Sequence, residues 1–454
     1  MKSNFKIVGC MVVMTMFVAL ACTKEKEKEN EPEVWAPDED IIWKHNFGGN
    51  SYDWFKSITA VSGGFVASGG SVRNSFGSGD WAGITGNDDD AIIVKYSANG
   101  NVVWKKRFGS DYGDDFLSVT AVSDGVVAAG YSVLDGGDWA GVTKIGSAII
   151  VQYGNDGNIV WMKSFGGGGE RFSSITAISG GLVAAGNSAA TSFGKGDWAG
   201  ISGKGKTDAI IVKFDDNGNV MWKKNFGGAD NDEFYSVTAV SDGIVAVGGS
   251  ENGSSGDWEG IQQNGREDAI IVKFDNNGSV MWKKRFGCAG NDRFYSVIAA
   301  SDGVVAAGYS VDLNTGDWAG VAGKGGQDAI LVKFDNAGNV VWKKHLGGSG
   351  GEVYHSVTTV SGGFVAAGSS YTIDGSGDLA GLNGIRGALL VGYDNNGNVL
   401  WKKRFGVPND VFYSVTATSG IIVAAGESQD ISTIDWEGFV GKGRTDAMVV
   451  AYQK

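Results

Sequence analysis

The chain contains very little cysteine and proline. Only three of its 454 residues are cysteine and three are proline. Cys10 lies in an apolar N-terminal segment that we expect to be removed, and Cys22 follows directly after that segment, so Cys288 would be alone in the body of the protein. This arrangement excludes a disulfide framework within one mature chain. The fold must therefore be stabilised by packing.

Positive charge is scarce as well. The chain has 38 Lys and Arg against 51 Asp and Glu, a formal net charge of -13. Removing residues 1–21 removes two lysines and no acidic residue, so the charge of the remaining chain moves from -13 to -15. A surface that binds nucleic acid needs clustered positive charge, which this composition does not provide. We therefore predict no nucleic-acid partner.

Histidine and reactive cysteine give little support for catalysis. The histidines are His45, His345 and His355, and none has a plausible nucleophile near it in sequence, while Cys288 has no nearby histidine. Catalysis by carboxylates alone, as in glycosidases, stays open, but no acid pair stands out. The Asp-Asn-Asn-Gly turns lack the spacing of a calcium-binding loop. We assign no catalytic residue and predict neither a cofactor nor a metal.

The N-terminus has the pattern of an export signal. A short basic start precedes an apolar run over residues 7–20, which is too short to cross a bilayer as a lone helix. The run ends in Ala-Leu-Ala-Cys at residues 19–22, which resembles the lipobox of bacterial lipoproteins. We predict a lipoprotein signal peptide over residues 1–21, lipidation of Cys22, and a charged flexible tether over residues 22–40. An ordinary secretory signal with a chance cysteine is the alternative.

Glycine and tryptophan are abundant and regularly placed. The chain has 75 glycines and 15 tryptophans. One tryptophan, usually in the setting Trp-Lys-Lys, recurs with successive spacings of 61, 57, 61, 60, 60 and 59 residues. Its positions are Trp43, Trp104, Trp161, Trp222, Trp282, Trp342 and Trp401. The spacing indicates a sevenfold internal repeat.

Each repeat contains four strand-like runs and no helical period. In one repeat these runs cover residues 234–240, 243–249, 269–274 and 280–286, separated by turn residues or by a long loop. Four short strands per repeat predict an all-β, seven-bladed β-propeller of four-stranded antiparallel blades over residues 41–454. The chain begins this region with a fourth-type strand and ends it with a third-type strand. We predict that residues 41–47 pair beside residues 447–452 and close the ring.

At this point the chain resembles bacterial exported proteins built from tandem seven-bladed propeller repeats of the SBBP type. Their units also read as Asp-Ala, an apolar strand, an Asn-Gly turn, another apolar strand and Gly-Gly. The resemblance covers residues 41–454 and implies the propeller fold. It implies no activity and no catalytic residues.

Loop lengths divide the predicted propeller into two faces. The turns between first and second strands and between third and fourth strands are tight and rich in Asp, Asn and Gly, and they share one face, the tight-turn face. The long, variable loops between second and third strands lie on the opposite face, the long-loop face. Because variable loops on a rigid scaffold usually carry specificity, we predict that the long-loop face binds the partner.

Two sets of repeated residues on the long-loop face are candidate site residues. The first is the tryptophan of a Gly-Asp-Trp-like loop, which could stack on a ligand or pack the loop onto a blade, and we favour packing. This set is Trp81, Trp139, Trp198, Trp258, Trp318 and Trp436, with Leu379 in the remaining repeat. The second is an acid before each first strand, which could ring the channel mouth as a cation site or cap its own turn, and we favour capping. This set is Asp53, Asp114, Glu170, Asp232, Asp292, Glu352 and Asp410.

The sequence leaves three functions open. The favoured one is a non-enzymatic lipoprotein, anchored by lipid to the outer membrane or cell surface of a bacterial envelope. Its propeller would bind a protein or glycan partner as a monomer. The alternatives are a structural scaffold in an envelope assembly complex and a carbohydrate-active enzyme that uses carboxylates.

Overall fold

The structure, a computed structural model, describes residues 33–34, 40–86, 88–133, 136–140, 146–251, 253, 255–382, 386–418, 420–429 and 434–453. The predicted signal peptide, Cys22 and most of the predicted tether lie outside these residues. Within them, no helix combines the length and the apolar character needed to span a membrane.

Seven four-stranded antiparallel sheets form the blades of a propeller. Six blades use consecutive strands, and in each of them the first strand is innermost. Blade 1 is β3 (Asp53–Val61), β4 (Gly64–Ser71), β5 (Asp90–Ser97) and β6 (Val102–Phe108). Blade 2 is β7 (Asp114–Val122), β8 (Gly125–Ser132), β9 (Ser147–Gly154) and β10 (Ile159–Phe165). Blade 3 is β11 (Glu170–Ile178), β12 (Gly181–Ala189), β13 (Thr207–Phe214) and β14 (Val220–Phe226).

The next three blades follow the same order. Blade 4 is β15 (Asp232–Val240), β16 (Gly243–Glu251), β17 (Glu267–Phe274) and β18 (Val280–Phe286). Blade 5 is β19 (Asp292–Ala300), β20 (Gly303–Val311), β21 (Gln327–Asp335) and β22 (Val340–Leu346). Blade 6 is β23 (Glu352–Val360), β24 (Gly363–Ser370), β25 (Gly387–Asp394) and β26 (Val399–Phe405). A two-residue strand, β1 (Glu33–Val34), pairs in parallel with β26.

Blade 7 is built from both ends of the chain, as predicted. It contains β27 (Val411–Thr418), β28 (Ile421–Ser428), β29 (Asp446–Gln453) and β2 (Ile41–Phe47). Strand β2 runs antiparallel to β29, with Ile41 opposite Tyr452 and Phe47 opposite Ala447. The predicted seven-bladed fold and its closure are therefore confirmed.

Helical structure in the described residues is limited to single 3-10 turns in the long loops. These turns are Arg73–Ser75, Gly79–Trp81, Gly137–Trp139, Ala190–Ser192, Gly196–Trp198, Gly256–Trp258, Gly316–Trp318, Gly377–Leu379 and Ile434–Trp436. Seven of the nine hold the repeated Gly-Asp-Trp motif or its variants. The motif is therefore a short turn on the long-loop face.

The hydrophobic core lies between blades. The second and third strands are buried on both faces, as in the run Ala91–Val94, where every residue is fully buried. One cluster, for example, joins Phe55 and Trp81 of blade 1 to Phe47, Val423 and Val449 of blade 7. Since alternating side chains of one strand contact opposite neighbours, each blade is stabilised by the two beside it.

A ring of serine hydroxyls links the innermost strands. Each first strand carries a serine four residues after its acid, and that hydroxyl accepts a hydrogen bond from a backbone N–H of the next blade at 3.1 to 3.2 Å. The donor and acceptor pairs are Val119 to Ser57, Ile175 to Ser118, Val237 to Ser174, Val297 to Ser236, Val357 to Ser296, Val415 to Ser356 and Ile58 to Ser414. The last pair joins blade 7 to blade 1, so the ring is continuous.

We expect Ser236→Ala to lower the free energy of unfolding by about 1–2 kcal/mol, because it leaves the Val297 N–H between blades without its acceptor. Urea denaturation followed by tryptophan fluorescence measures the change. Ser241→Ala, in an exposed turn of the same blade, is the control and should leave stability unchanged. Equal midpoints for the two variants would contradict a stabilising role for the serine ring.

Candidate ligand-binding site at the channel mouth

The Asp-Trp loops pack onto the preceding blade. All six tryptophans of the motif are at most 1% exposed, and each ring meets a phenylalanine at the end of the preceding blade's fourth strand, edge to face. The pairs are Phe47 with Trp81, Phe108 with Trp139, Phe165 with Trp198, Phe226 with Trp258, Phe286 with Trp318 and Phe405 with Trp436. Between blades 5 and 6 both aromatic rings are replaced by leucines, Leu346 and Leu379, which share one buried cluster.

The aspartate of each loop also contacts the preceding blade. Its carboxylate accepts a hydrogen bond from a glycine N–H that follows the preceding blade's fourth strand. The donor and acceptor pairs are Gly48 to Asp80, Gly109 to Asp138, Gly166 to Asp197, Gly227 to Asp257, Gly287 to Asp317, Gly347 to Asp378 and Gly406 to Asp435. Because the rings are buried and the carboxylates are hydrogen-bonded, this geometry favours packing over ligand stacking.

The seven acids at the starts of the first strands are also buried. Each is at most 3% exposed. Asp232, for example, accepts hydrogen bonds from Gly228 N at 2.7 Å and from Trp258 Nε1 at 2.8 Å, and Asp53 is bonded to Trp81 in the same way. Burial raises the pKa of Asp292 to about 6 and that of Asp410 to about 7, although their hydrogen bonds oppose the shift. This placement favours capping over an open ring of cation ligands.

A different set of residues faces the axis at the long-loop end. Every first strand begins with a fixed frame of acid, variable residue, aromatic, variable residue and serine. The two variable residues, and the second-strand residue opposite the first of them, differ from blade to blade. We call these three positions the variable triad of a blade. The triads are Trp54, Lys56 and Gly70; Asp115, Leu117 and Tyr131; Arg171, Ser173 and Asn187; Glu233, Tyr235 and Gly249; Arg293, Tyr295 and Tyr309; Val353, His355 and Ser369; and Val411, Tyr413 and Glu427.

A β-bulge leaves the middle member of each triad unpaired in the ladder, and each of these side chains is half-buried. In blade 4, for example, Phe234 pairs with Gly248 and Ser236 with the adjacent Val247, so Tyr235 between them has no partner in the ladder. The same register shift occurs in all seven first strands. A bulge re-aims a side chain without ending the sheet. The repeat thus holds its frame constant while the residue at the bulge varies between blades, from tyrosine in three of them to Lys56, Leu117, Ser173 and His355 in the others.

Four of the bulge residues form an aromatic arc around the axis. Ring centroids lie 5.2 Å apart for Tyr235 and Tyr295, 5.4 Å for Tyr295 and His355, and 5.4 Å for His355 and Tyr413. Lys56 of blade 1 continues the arc, with its ammonium 3.6 Å from the centre of the Tyr413 ring. Because these residues come from successive blades, they line a single continuous surface.

Charged residues surround this arc in pairs. Arg293 Nε lies 2.6 Å from Glu267, Arg171 lies 3.8 Å from Glu233, and the Tyr413 hydroxyl donates to Glu427 at 3.0 Å. Burial raises the pKa of Asp115 to about 7, opposed by Lys56. Burial lowers the pKa of Lys56, opposed by Glu427 and Asp115. The mouth therefore combines aromatic surface with groups of both signs, a composition suited to polar ligands.

We expect His355→Tyr to make the fold less sensitive to acid. Burial, with a smaller effect of Lys56, lowers the pKa of His355 from 6.5 to about 4. As the pH falls from about 6.5 to about 4, the unfolded chain binds a proton at this residue and the folded chain does not, so wild-type stability decreases. Urea denaturation at two pH values, one near 7 and one near 4.5, should show a wild-type loss up to about 2 kcal/mol greater than that of the variant.

Tyrosine occupies the position of His355 in three other blades, so the substitution suits the frame. Tyr295→Phe is the control, because it removes no group that titrates in this range and should keep the wild-type pH dependence. Identical acid sensitivity in His355→Tyr and wild type would contradict burial of a neutral imidazole at this position.

Part of the chain is similar in sequence to a known regulatory protein. No family model matches the chain. The regulatory protein FlaEY of Caulobacter vibrioides is 28% identical over 171 residues, which cover 37% of this chain and 18% of FlaEY. The chain therefore spans less than a fifth of that relative's length.

Solved propellers are similar in outline. The WD40 β-propeller domain of Doa1 matches with a TM-score of 0.47 and 11% identity over 90% of this chain and 97% of that one. Sqt1 from Chaetomium thermophilum matches with a TM-score of 0.43 and 10% identity over 86% of this chain and 83% of that one. Both similarities concern the overall structure alone.

Proposed function

We propose that this protein is a non-enzymatic, lipid-anchored export product whose propeller binds a protein or glycan partner at the channel mouth. The observation that carries the proposal is the contrast between frame and triads. Acid, aromatic and serine positions are nearly alike in all seven first strands, and each has an evident structural contact. The variable triads meet on one surface and differ in size, charge and aromatic character.

The differences between the variable triads support a binding role for that surface. A residue whose only role is to hold neighbouring blades together needs the same partner in every blade. The serine ring is an example of such a role. A surface assembled from lysine, arginine, aspartate, glutamate and tyrosine at otherwise equivalent positions is unsymmetrical. An unsymmetrical surface can distinguish one orientation of a ligand from another, and aromatic and arginine side chains are frequent anchors in binding sites.

The envelope location is proposed from the sequence. The lipobox-like residues 19–22 and the charged segment that follows them predict anchoring through Cys22. Strand β2 starts at Ile41 on the tight-turn face, opposite the long loops, so a tether that leads into it leaves from that face. We propose that the tight-turn face lies toward the membrane and that the channel mouth points outward.

Metabolic labelling tests the anchor. Cells that express the chain are fed an alkynyl fatty acid, and the protein is then coupled to a fluorescent azide. Wild type should be labelled and Cys22→Ala should not. Equal labelling of the two would contradict lipidation at Cys22. A precursor that keeps its original length in both would contradict export.

Site-specific crosslinking tests the binding surface. A photoreactive amino acid replaces Tyr295 at the channel mouth or Asn336 on the tight-turn face, and intact cells are irradiated. We expect a discrete adduct, protein or glycan, from position 295 and none from position 336. The adduct should disappear when Tyr413 and His355 are both changed to alanine. Adducts of equal yield from both faces would contradict the assignment of the binding surface.

A further inference from the structure

A cavity of about 350 Å³ opens beside the channel mouth, between blades 2 and 3. Its described lining includes Tyr131, Val133, Arg171, Asn187, Ala189 and Glu233. Its volume lies at the lower end of the range of about 300–1,000 Å³ typical of small-molecule sites. Four of these residues, Tyr131, Arg171, Asn187 and Glu233, belong to the variable triads of blades 2, 3 and 4. The cavity is therefore part of the surface at which the repeats differ.

One buried polar group in this cavity has an unused donor. Asn187 is 5% exposed, and among the described residues no hydrogen-bond partner is found for its Nδ2. Its orientation is set by Arg171 Nε, which lies 3.4 Å from Asn187 Oδ1. A buried donor without an acceptor destabilises a fold, and such groups are few in folded proteins. The equivalent positions of the other blades carry no carboxamide, since they are Gly70, Tyr131, Gly249, Tyr309, Ser369 and Glu427.

The charges of the cavity favour a neutral ligand. The guanidinium of Arg171 is half-exposed and lies 3.8 Å from the carboxylate of Glu233. Glu170 is buried and already accepts hydrogen bonds from Gly167 and Gly168. An anionic ligand would compete with Glu233 for Arg171, and a cationic ligand would meet Arg171 itself. Arg171 and Glu233 therefore offset each other, and Glu170 already has backbone donors, so each charged group of the described wall has a partner within the protein.

The polar groups of the cavity match a polyhydroxylated ligand. Asn187 Nδ2 and the Arg171 guanidinium donate, Glu233 accepts, and the Tyr131 hydroxyl can do either. Each hydroxyl of a sugar also donates and accepts, so neighbouring hydroxyls can bond alternately to such groups. Val133 and Ala189 supply small apolar walls for the ring carbons.

We propose that this cavity binds one neutral monosaccharide unit of a glycan, with Asn187 Nδ2 and Arg171 donating to adjacent hydroxyls and Glu233 accepting from one of them. The inference rests on the proposed function, since it selects glycan from the two partner classes. It adds the chemical class of the ligand and the residues that recognise it.

Saturation-transfer NMR on the full chain in a non-glycosidic detergent tests the inference. The probes are the methyl glycosides of glucose, galactose, mannose and N-acetylglucosamine, with methyl glucuronide as an anionic comparison. We expect at least one neutral glycoside to receive saturation. Its Kd should rise about tenfold in Asn187→Ala and in the isosteric Asn187→Asp, the effect of losing a hydrogen bond worth about 1.4 kcal/mol.

Asn217→Ala, which changes an exposed asparagine in the tight turn between the third and fourth strands of blade 3, is the matched control and should leave the Kd unchanged. Thermal melting confirms that each variant is folded. Absence of transfer to every neutral glycoside, preference for the glucuronide, or an equal change in the control would overturn the inference. If the crosslinked adduct from position 295 nevertheless persists and is a protein, the proposed function stands without this ligand. If that adduct is also absent, both proposals fail.

Discussion

A chain that lacks residues 34–50 is expected to have no stable fold. The deletion removes β2, which leaves the ladder edge of β29 unpaired and takes Phe47 out of a cluster with Phe55 and Trp81. Loss of a buried phenylalanine side chain alone costs about 3–5 kcal/mol, and a domain is stable by only about 5–15 kcal/mol. Circular dichroism and limited proteolysis should show a chain without cooperative unfolding.

A rearranged chain tests whether the truncated chain is unstable because blade 7 lacks its fourth strand. In this variant residues 40–50 are moved behind Gln453 through an Asp-Asn-Asn-Gly turn like the one at residues 275–278. Blade 7 would then consist of consecutive strands, as the other blades do, and we expect cooperative unfolding to return. Cooperative melting of the truncated chain at the wild-type temperature would contradict closure by β2.

Trp258→Ala is expected to lower the free energy of unfolding by about 4 kcal/mol. The ring is fully buried, meets Phe226 edge to face at 5.0 Å, and has the Arg285 guanidinium 4.8 Å from its centre. The substitution also leaves Asp232 without one of its donors. Removal of a buried tryptophan usually costs about 3–5 kcal/mol. Chemical denaturation measures the loss, and an unchanged midpoint would contradict packing as the role of the motif.

The leucine pair between blades 5 and 6 supplies a control for this prediction. Because Leu346 and Leu379 replace both aromatic rings there, the double variant Phe226→Leu with Trp258→Leu reproduces a combination that the chain already uses. We expect it to be less unstable than the sum of the two single variants by about 1 kcal/mol, the added value of an aromatic pair. Strict additivity would mean that the two rings do not act together.

The architecture could be predicted because each repeat contains short strand-like runs that are separated by recognisable turn residues. The sequence predicts that β15 begins at residue 234, whereas it begins at Asp232, and the other three strands of blade 4 lie within two residues of their predicted limits. This difference has a physical cause. Asp232 has the sequence context of a turn residue, and its carboxylate does accept a hydrogen bond from the preceding Gly228 N–H. Its backbone, however, already pairs with Ser250 in the ladder.

The candidate site could not be predicted as readily. The tryptophan of the motif has the same sequence context whether it is exposed or buried, and only its contact with Phe226 of another blade decides between them. The sequence analysis missed the variable triads and the serine ring. Their signal was present in the seven aligned first strands, where acid, aromatic and serine positions hold steady while the positions between them vary. The cavity beside Asn187 was beyond such a comparison, because three blades contribute to it.

The shared blade imposes an order on folding. Strand β2 is the first part of the propeller to be synthesised, and its partner β29 is the last. Blades 1 to 6 can form from neighbouring strands as they emerge, whereas blade 7 waits for contact between opposite ends of the chain, which is the entropically slowest kind of pairing. Until then two strand edges stay open, and open edges pair readily with other chains. An unfinished molecule therefore carries open strand edges that the closed ring does not, and it is at this stage that pairing with another copy of the chain is favoured.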